Sequence, residues 1–401
     1  MQLLKSLFKQ KETILGLSAA IAFQLIFVFV WLTGYDGVYE RIDQFTIGVV
    51  NEDSTLGENI TNQLKNEASF EVKIFEELPQ AKQDLDERAI QMLIHLPNTM
   101  TEQLQSNEDV LIHYYINQSV PTLTKQIMET SANKLNQAIN EQVRETANQE
   151  LVETIPQMIL AESPNTDMKE ITEEIATQVA TLMHENFTID PVQANIIKTN
   201  DKEGFSLTMV PLLIVLASYI GAMLISQHLQ ITETKLRHEY SKSSLFIGRQ
   251  IINMMAAILI SLLTVSLMYL FNIKIDHNLF AFWGFQALLM FSFLALSQVF
   301  VILFGNIGMI FNIALTAIQL VSSGAIVPRE LLSPFYQGIG NILPATYGVN
   351  SYFSLIYGGG SFVSDIKNLC VIVAVLFIIA IGGQLLSYLW GKFLQEKSTT
   401  H

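Results

Sequence analysis

The chain has one cysteine, almost no charge inside its apolar runs, and none of the common signatures of a chemical site. Cys370 lies in an apolar run, so no disulfide framework can form within the chain; its plainest role is a small core or lipid-facing residue. No G-x-x-x-x-G-K-[ST] segment occurs, and the one Gly-Lys pair, Gly391–Lys392, ends an apolar run. Such a loop cradles nucleotide phosphates with backbone N–H groups, so an ATPase of that type is excluded. The seven histidines form no H-E-x-x-H pair, because His184–Glu185 and His238–Glu239 lack a second histidine four residues on. No G-x-S-x-G elbow is present. The middles of the apolar runs hold no Asp or Glu, the groups with which proton- or sodium-coupled carriers move charge through lipid. No catalytic residue and no metal site are expected, and the chain is not expected to be an enzyme.

What is present is apolar length. Runs at 13–33, 206–226, 247–272, 280–304, 309–327 and 369–390 each approach or exceed the ~20 residues that cross a ~30 Å hydrocarbon core. They are unevenly placed, one before and five after a long polar stretch. The expected fold class is an α-helical polytopic membrane protein of six spans (1+5) with an inserted extracellular α/β plus helical domain. The run at 13–33 is longer than the 7–15 residues of a signal-peptide core, and no small-x-small site follows Trp31, so an uncleaved anchor is expected.

Charge divides the same way. Residues 34–205 hold 30 Asp/Glu and 11 Lys/Arg, a net of −19; the remainder holds 7 and 12, a net of +5. The acidic part is expected to face water, and its sign argues against nucleic-acid binding. Orientation follows from Lys and Arg in the short loops. Lys5, Lys9, Lys11, Lys235, Arg237, Lys242, Lys392 and Lys397 lie on one side; Lys274, Arg329 and Lys367 lie on the other. Both termini are therefore expected in the cytoplasm of a bacterial plasma membrane, with 34–205 outside. Residues 1–12 alternate Leu3, Leu4, Leu7 and Phe8 with lysines, as in a short interfacial helix or a disordered basic start.

Within the outer domain, residues 45–116 alternate strand and helix signals. Phe45–Val50, Phe70–Phe75, Ala89–Leu96 and Val110–Ile116 are strand-like, and 57–66, 78–86 and 98–105 are polar helix formers. Phe70, Val72 and Ile74 alternate with Glu71 and Lys73, the pattern of a half-buried strand. Residues 120–186 form a helical part: Leu123, Ile127, Leu135, Ile139 and Val143 mark one amphipathic helix, and Ile171, Ile175, Val179 and Leu182 a second. Pro156 and Pro164 are expected to separate them. Their stripes suit domain core, or less simply a partner surface.

Two further segments carry functional weight. Residues 227–246 join the second and third spans with mixed charge and helix-compatible residues. They suit docking of a soluble partner, and equally a plain solvated loop. Residues 328–360, with Pro328, Pro334, Pro344 and Gly358–Gly360, contain apolar patches too short to span, Leu331–Ile342 and Tyr347–Tyr357. They fit two short helices dipping into the outer leaflet, or a surface loop. Among polar residues in the spans, Asn253, Gln298, Asn312 and Gln319 fit interhelical hydrogen bonding, and Arg249 lies near enough to an end to snorkel. With no intramembrane carboxylate, energy for any transport would come from another subunit.

Three segments resemble the permease subunits of type-2 ABC exporters, in the branch with a large outer domain that includes the Gram-positive phage-infection-protein relatives. They are Ile47-Gly-Val-Val-Asn-Glu-Asp53 with Gly57 opening a helix; Ala89-Ile-Gln-Met-Leu-Ile-His-Leu-Pro97; and Ser323-Gly-Ala-Ile-Val-Pro-Arg-Glu-Leu-Leu-Ser-Pro334 leading to Leu343-Pro-Ala-Thr-Tyr-Gly348. The resemblance covers nearly the whole chain, in the same order. It implies a second permease copy or paralogue, a separate ABC ATPase subunit that carries ATP and magnesium, and a lipid bilayer around both. No cofactor is implied on this chain. The coupling role falls on Glu233, Lys235, Arg237, Glu239 and Lys242. Leu343, Pro344 and Tyr347 are the expected outer gate. Expected cargo is an amphipathic compound, a lipid or a peptide. The alternative is a non-transporting surface protein: a phage receptor, a secretion-system accessory or an immunity protein.

Overall fold

The computed structural model describes residues 26, 29–30, 33–67, 69–106, 108–162, 190–201, 205–271, 273 and 278–399. The expected interfacial segment at 1–12, most of the expected first span at 13–33 and the expected helix at 167–186 lie outside them. The chain divides into two compact units, one of residues 45–117 and 125–199, the other of residues 1–44, 118–124 and 200–401.

The first unit is built on a five-stranded sheet. In chain order it has β1 (Thr46–Asn51), α1 (Leu56–Glu67), β2 (Glu71–Phe75), α2 (Leu78–Asp86), β3 (Met92–Leu96), α3 (Met100–Gln105), β4 (Val110–Asn117), α4 (Thr122–Glu162) and β5 (Val192–Thr199). The strand order is β2-β1-β3-β4-β5. β1 pairs in parallel with β2 and β3, β4 runs antiparallel to β3, and β5 runs parallel to β4. Interior strand β1 reads as a continuous apolar run because both of its faces are covered, and Ile47, Val49 and Val50 are fully buried. At the edge, β2 departs from the expected alternation. Ile74 is 49% exposed, and Phe75 instead joins Val50, Ala81, Leu85, Ile90 and Leu93 in the core.

The expected boundary between an α/β part and a separate helical part gives way to one sheet. β5 follows the helical insertion and pairs with β4 along its whole length, from Val110↔Val192 to Asn117↔Thr199. α4 helps hold it there. Asn140 Nδ2 donates to the Val192 carbonyl (2.8 Å), Asn140 Oδ1 accepts from the Val192 N–H (2.9 Å), and Asn136 Nδ2 donates to the same carbonyl (2.8 Å). One side-chain amide thus takes the place of a strand partner at the start of β5. α4 also runs through Pro156 to Glu162 instead of ending there. A proline removes one helical hydrogen bond and can leave the helix continuing with a bend.

The second unit is helical: α5 (Phe205–Leu236), α6 (Lys242–Leu270), α7 (Leu279–Phe304), α8 (Gly308–Ser322), α9 (Pro334–Gly340), α10 (Pro344–Tyr357) and α11 (Val363–Thr399). Four segments among the described residues are long and apolar enough to cross a membrane: Met209–Leu236, Lys242–Leu270, Leu279–Ser322 and Val363–Leu385. The third is two helices folded back on each other. Asn312 Nδ2 donates to the Ser297 carbonyl at 3.1 Å, whereas one straight helix would hold them ~22 Å apart. The reversal occurs at Gly305–Ile307, with Gly305 at φ +62°. A Cβ on Gly308 would meet the Phe300 carbonyl oxygen at 2.3 Å, so only glycine allows this approach.

α7 is apolar all round and is the bundle's central helix. Phe282, Phe285, Leu289 and Phe293 are buried along it, with Tyr352 edge-on to Phe285 and Tyr219 edge-on to Phe293. Lipid is as apolar as these side chains, so close packing and interhelical hydrogen bonds hold such helices together rather than the hydrophobic effect.

Candidate functional site

α5 and α6 meet at a short break, Arg237–Ser241. Of the segment 227–246, residues 227–236 are the last turns of α5 and 242–246 the first of α6. This stretch has no Gly or Pro to end a helix. Thr232 and Thr234 donate back to the His228 and Gln230 carbonyls (3.0 and 2.8 Å), and Ser241 Oγ caps α6 by accepting from Ser244 N–H (3.2 Å). At 32 residues α5 is ~48 Å long, so it outruns a ~30 Å core.

Lys235, Arg237, Glu239 and Lys242 are all exposed around the break. Glu233 is not with them. It is half-buried, and its Oε1 lies 2.7 Å from Arg249 Nε. Arg249, instead of snorkelling as its position in the run suggests, is 2% exposed. A carboxylate and an amide on α5 hold it inside, since its Nη2 also donates to Gln230 Oε1 at 2.8 Å. A shallow cleft beside this pair is lined by Gln230, Glu233, Arg237, Lys242, Ile302 and Gln384.

The expected gate residues sit together at the start of α10. Leu343 is its N-cap residue, 4% exposed, and Pro344 is its first residue, where the missing N–H costs nothing. Tyr347 is half-buried and its hydroxyl donates to the Asn341 carbonyl. Arg329 pins the preceding turn, with Nη2 donating to the Gln337 carbonyl (2.9 Å) and to Asn341 Oδ1 (2.5 Å). α10, expected to dip into the outer leaflet or to lie in a surface loop, is instead buried within this chain: twelve of its fourteen residues are buried. Leu343, Ala345, Val349 and Tyr352 belong to the same core as α7.

The polar residues of the bundle are largely paired across helices. Gln298 on α7 accepts at Oε1 from Gln250 (3.0 Å) and Asn253 (3.1 Å) on α6. Asn312 takes the Tyr219 hydroxyl (3.2 Å), and Ser297 Oγ donates to the Ala222 carbonyl (3.2 Å). Gln286 bridges Ser218 (3.1 Å) and the Tyr352 hydroxyl. Nothing in the sequence singles out Gln286, Ser218, Tyr219, Ser297 or Tyr352; a lone polar residue in an apolar run carries no sign of its partner. Gln319 is 3% exposed with neither amide atom hydrogen-bonded, beside a small cleft lined by Val215, Tyr219, Thr316 and Ser323.

In the sheet unit, the segment Asn51–Asp53 with Gly57 is a joint. Asn51 Oδ1 accepts from Asp53 N–H (3.0 Å), an Asx turn. Asp53 is 4% exposed. Its Oδ1 accepts from Thr55 N–H (3.0 Å), Gly57 N–H (3.0 Å) and Thr101 Oγ1 (2.8 Å), and its Oδ2 accepts from Thr101 N–H (2.9 Å). Burial pushes its pKa up, but the hydrogen bonds from Gly57, Thr101 and Thr55 outweigh that and hold it below the usual carboxylate value. A Cβ on Gly57 would meet Asn51 Oδ1 at 2.2 Å, so the joint requires glycine there.

A bundle of membrane-length helices with paired polar residues inside, joined in sequence to an α/β unit, defines a membrane-embedded protein. The chain belongs to the family described as ABC-2 family transporter protein, whose model it matches over residues 11–381. It is 24% identical over 212 residues to a protein of Bacillus subtilis (strain 168) named uncharacterized protein YhgE, across 53% of this chain and 26% of that protein. The match thus spans about a quarter of that relative's length. No solved structure matches the chain.

Proposed function

We propose that the chain is the membrane-spanning permease subunit of an ATP-driven exporter, moving an amphipathic compound, lipid or peptide out of a bacterial cell. ATP and magnesium are bound and turned over on a separate ABC ATPase subunit, and two permease copies or paralogues meet in the bilayer. The chain crosses six times, with both termini in the cytoplasm and residues 34–205 outside. Support comes from the family, from the absence of a P-loop in the sequence, and from the eight-to-three Lys/Arg bias.

The observation that carries the reading is the α5–α6 break. It presents Lys235, Arg237, Glu239 and Lys242 to solvent at the ends of two membrane-length helices. These residues dock the ATPase, while Glu233 acts from inside through Arg249. Leu343, Pro344 and Tyr347 close the outer end of the path, on a helix packed into the bundle core.

Affinity purification from native membranes, with mass spectrometry of the co-purifying proteins, tests this. A P-loop ATPase should be among them, and changing Lys235 and Arg237 together to Glu should reduce it while the level of this chain stays normal. Absence of any ATPase would favour a non-transporting surface protein.

A further inference from the structure

We propose that Arg249 is a positioning residue: together with Glu233 and Gln230 it forms a buried clamp that fixes the α5–α6 break against the helix bundle. This rests on the coupling role proposed above for that break.

α6 is the reason a clamp is needed. Its buried residues are Arg249, Asn253, Ala257, Ser261, Val265 and Met268, one narrow stripe at spacings of four and three. The rest of the helix is largely exposed, including Ile251, Met255, Leu259, Leu262 and Leu263. Lipid holds such a face at depth but does not fix its rotation or lateral position. The apolar and small residues of the stripe seat the end of α6 far from the break. At the near end the stripe is polar, Arg249 and then Asn253, so an ion pair and hydrogen bonds decide where the helix sits.

Those bonds form a closed circuit. Glu233 and Gln230, three residues apart on one face of α5, hold Arg249 at 2.7 and 2.8 Å. The next residue, Gln250, and Asn253 one turn on, bond to Gln298 of α7. Ser297 of α7 then donates back to the Ala222 carbonyl of α5. A load on the break therefore reaches α7, the central helix, through α6 as well as along α5. A lone arginine near a helix end would extend to the headgroups. One that is 2% exposed stays in only while its partners hold it, and an interior ion pair is sensitive to loss of either member.

The test uses the full chain in nanodiscs with Cys370 replaced by Ser. Spin labels go on cysteines placed at Tyr240 and Asn306, both exposed, and the distance between them is measured by double electron–electron resonance. The unaltered clamp should give one narrow distribution. Arg249→Gln and Glu233→Gln should each roughly double its width, as a second position of the break becomes populated. Exchanging the pair, Glu233→Arg with Arg249→Glu, keeps the combined reach of the two side chains and should narrow the distribution again. If Arg249→Gln fails to accumulate, Arg249→Lys, which keeps the charge but loses the two-point fork, should give an intermediate width. Single variants with the unaltered distribution, or an exchanged pair as broad as the singles, would overturn the clamp. No partner is needed for this measurement. Its failure is therefore distinct from failure of the docking role, which is read from ATPase co-purification with Lys235 and Arg237 reversed.

Discussion

Replacing Asp53 by Ala removes an acceptor for four hydrogen bonds at once, those from Thr55 N–H, Gly57 N–H, Thr101 N–H and Thr101 Oγ1. Thr55 is exposed and can turn to water, and the Thr101 hydroxyl can rotate. The Gly57 and Thr101 N–H groups have no such recourse beside a residue that is 4% exposed. Leaving a buried donor unpaired costs about 1–3 kcal/mol, and the two share one acceptor, so their losses do not simply add. A loss of about 3 kcal/mol is expected. Asp53→Asn keeps Oδ1 but sets an N–H₂ against the Thr101 N–H, and about half that loss is expected. Hydrogen exchange of the full chain reads this directly. At 1.4 kcal/mol per factor of ten, the amides of β1, α1 and α3 should exchange roughly 100-fold faster in Asp53→Ala. The carboxylate is held below its ordinary pKa, so its contribution is present above about pH 3.9 and is lost as pH falls below that. Acid should therefore bring the unaltered protein toward Asp53→Asn, while Asp53→Asn itself changes little. Exchange in Asp53→Ala within about threefold of the unaltered protein would refute the assignment of these bonds as the joint between α1 and α3.

Three other outcomes are expected. Asn140→Ala removes its own two bonds to the Val192 backbone and leaves the N–H without a side-chain partner, while Asn136 still donates to the carbonyl, so β5 should lose protection by roughly 10-fold while β1 and β2 keep theirs. His113 lies opposite His95, with ring centroids 5.9 Å apart, and burial, His95 and Lys82 together lower its pKa. The fold then favours the neutral ring, so stability of the β3–β4 pair should decline as pH falls from about 6.5, and His113→Asn should flatten that slope. Tyr347→Phe removes only the hydroxyl that meets the Asn341 carbonyl. If this end of α10 closes the path, it should raise leak through the reconstituted complex without reducing assembly; reduced assembly with normal activity per complex would make the residue structural.

Much of the sheet is legible in the sequence, for local reasons. β1 to β4 and α1 to α3 are short elements whose apolar patterning and intervening polar residues declare them one at a time. β5 is different. Val192, Ala194 and Ile196 alternate with Gln193 and Asn195, but the strand is defined by pairing with β4 across the long α4 insertion, which no local pattern reports. Arg249 shows the same limit at the candidate site. Its distance from the end of an apolar run fits snorkelling, and only the fold brings Glu233 and Gln230 to it. The same holds for Gln286, whose partners Ser218 and Tyr352 lie 68 and 66 residues away along the chain. The clustering of Lys235, Arg237, Glu239 and Lys242 is legible because they are neighbours in sequence. That Glu233 turns away from them depends on helical phase and on Arg249.

The proposed permease role requires that the α5–α6 break meet a separate ATPase. A photo-crosslinking amino acid placed at Arg237, activated in native membranes, tests that contact directly. A protein adduct whose sequence contains a P-loop is expected, diminished when Lys235 is changed to Glu. Adducts to lipid alone, or to a protein on the side of residues 34–205, would contradict it.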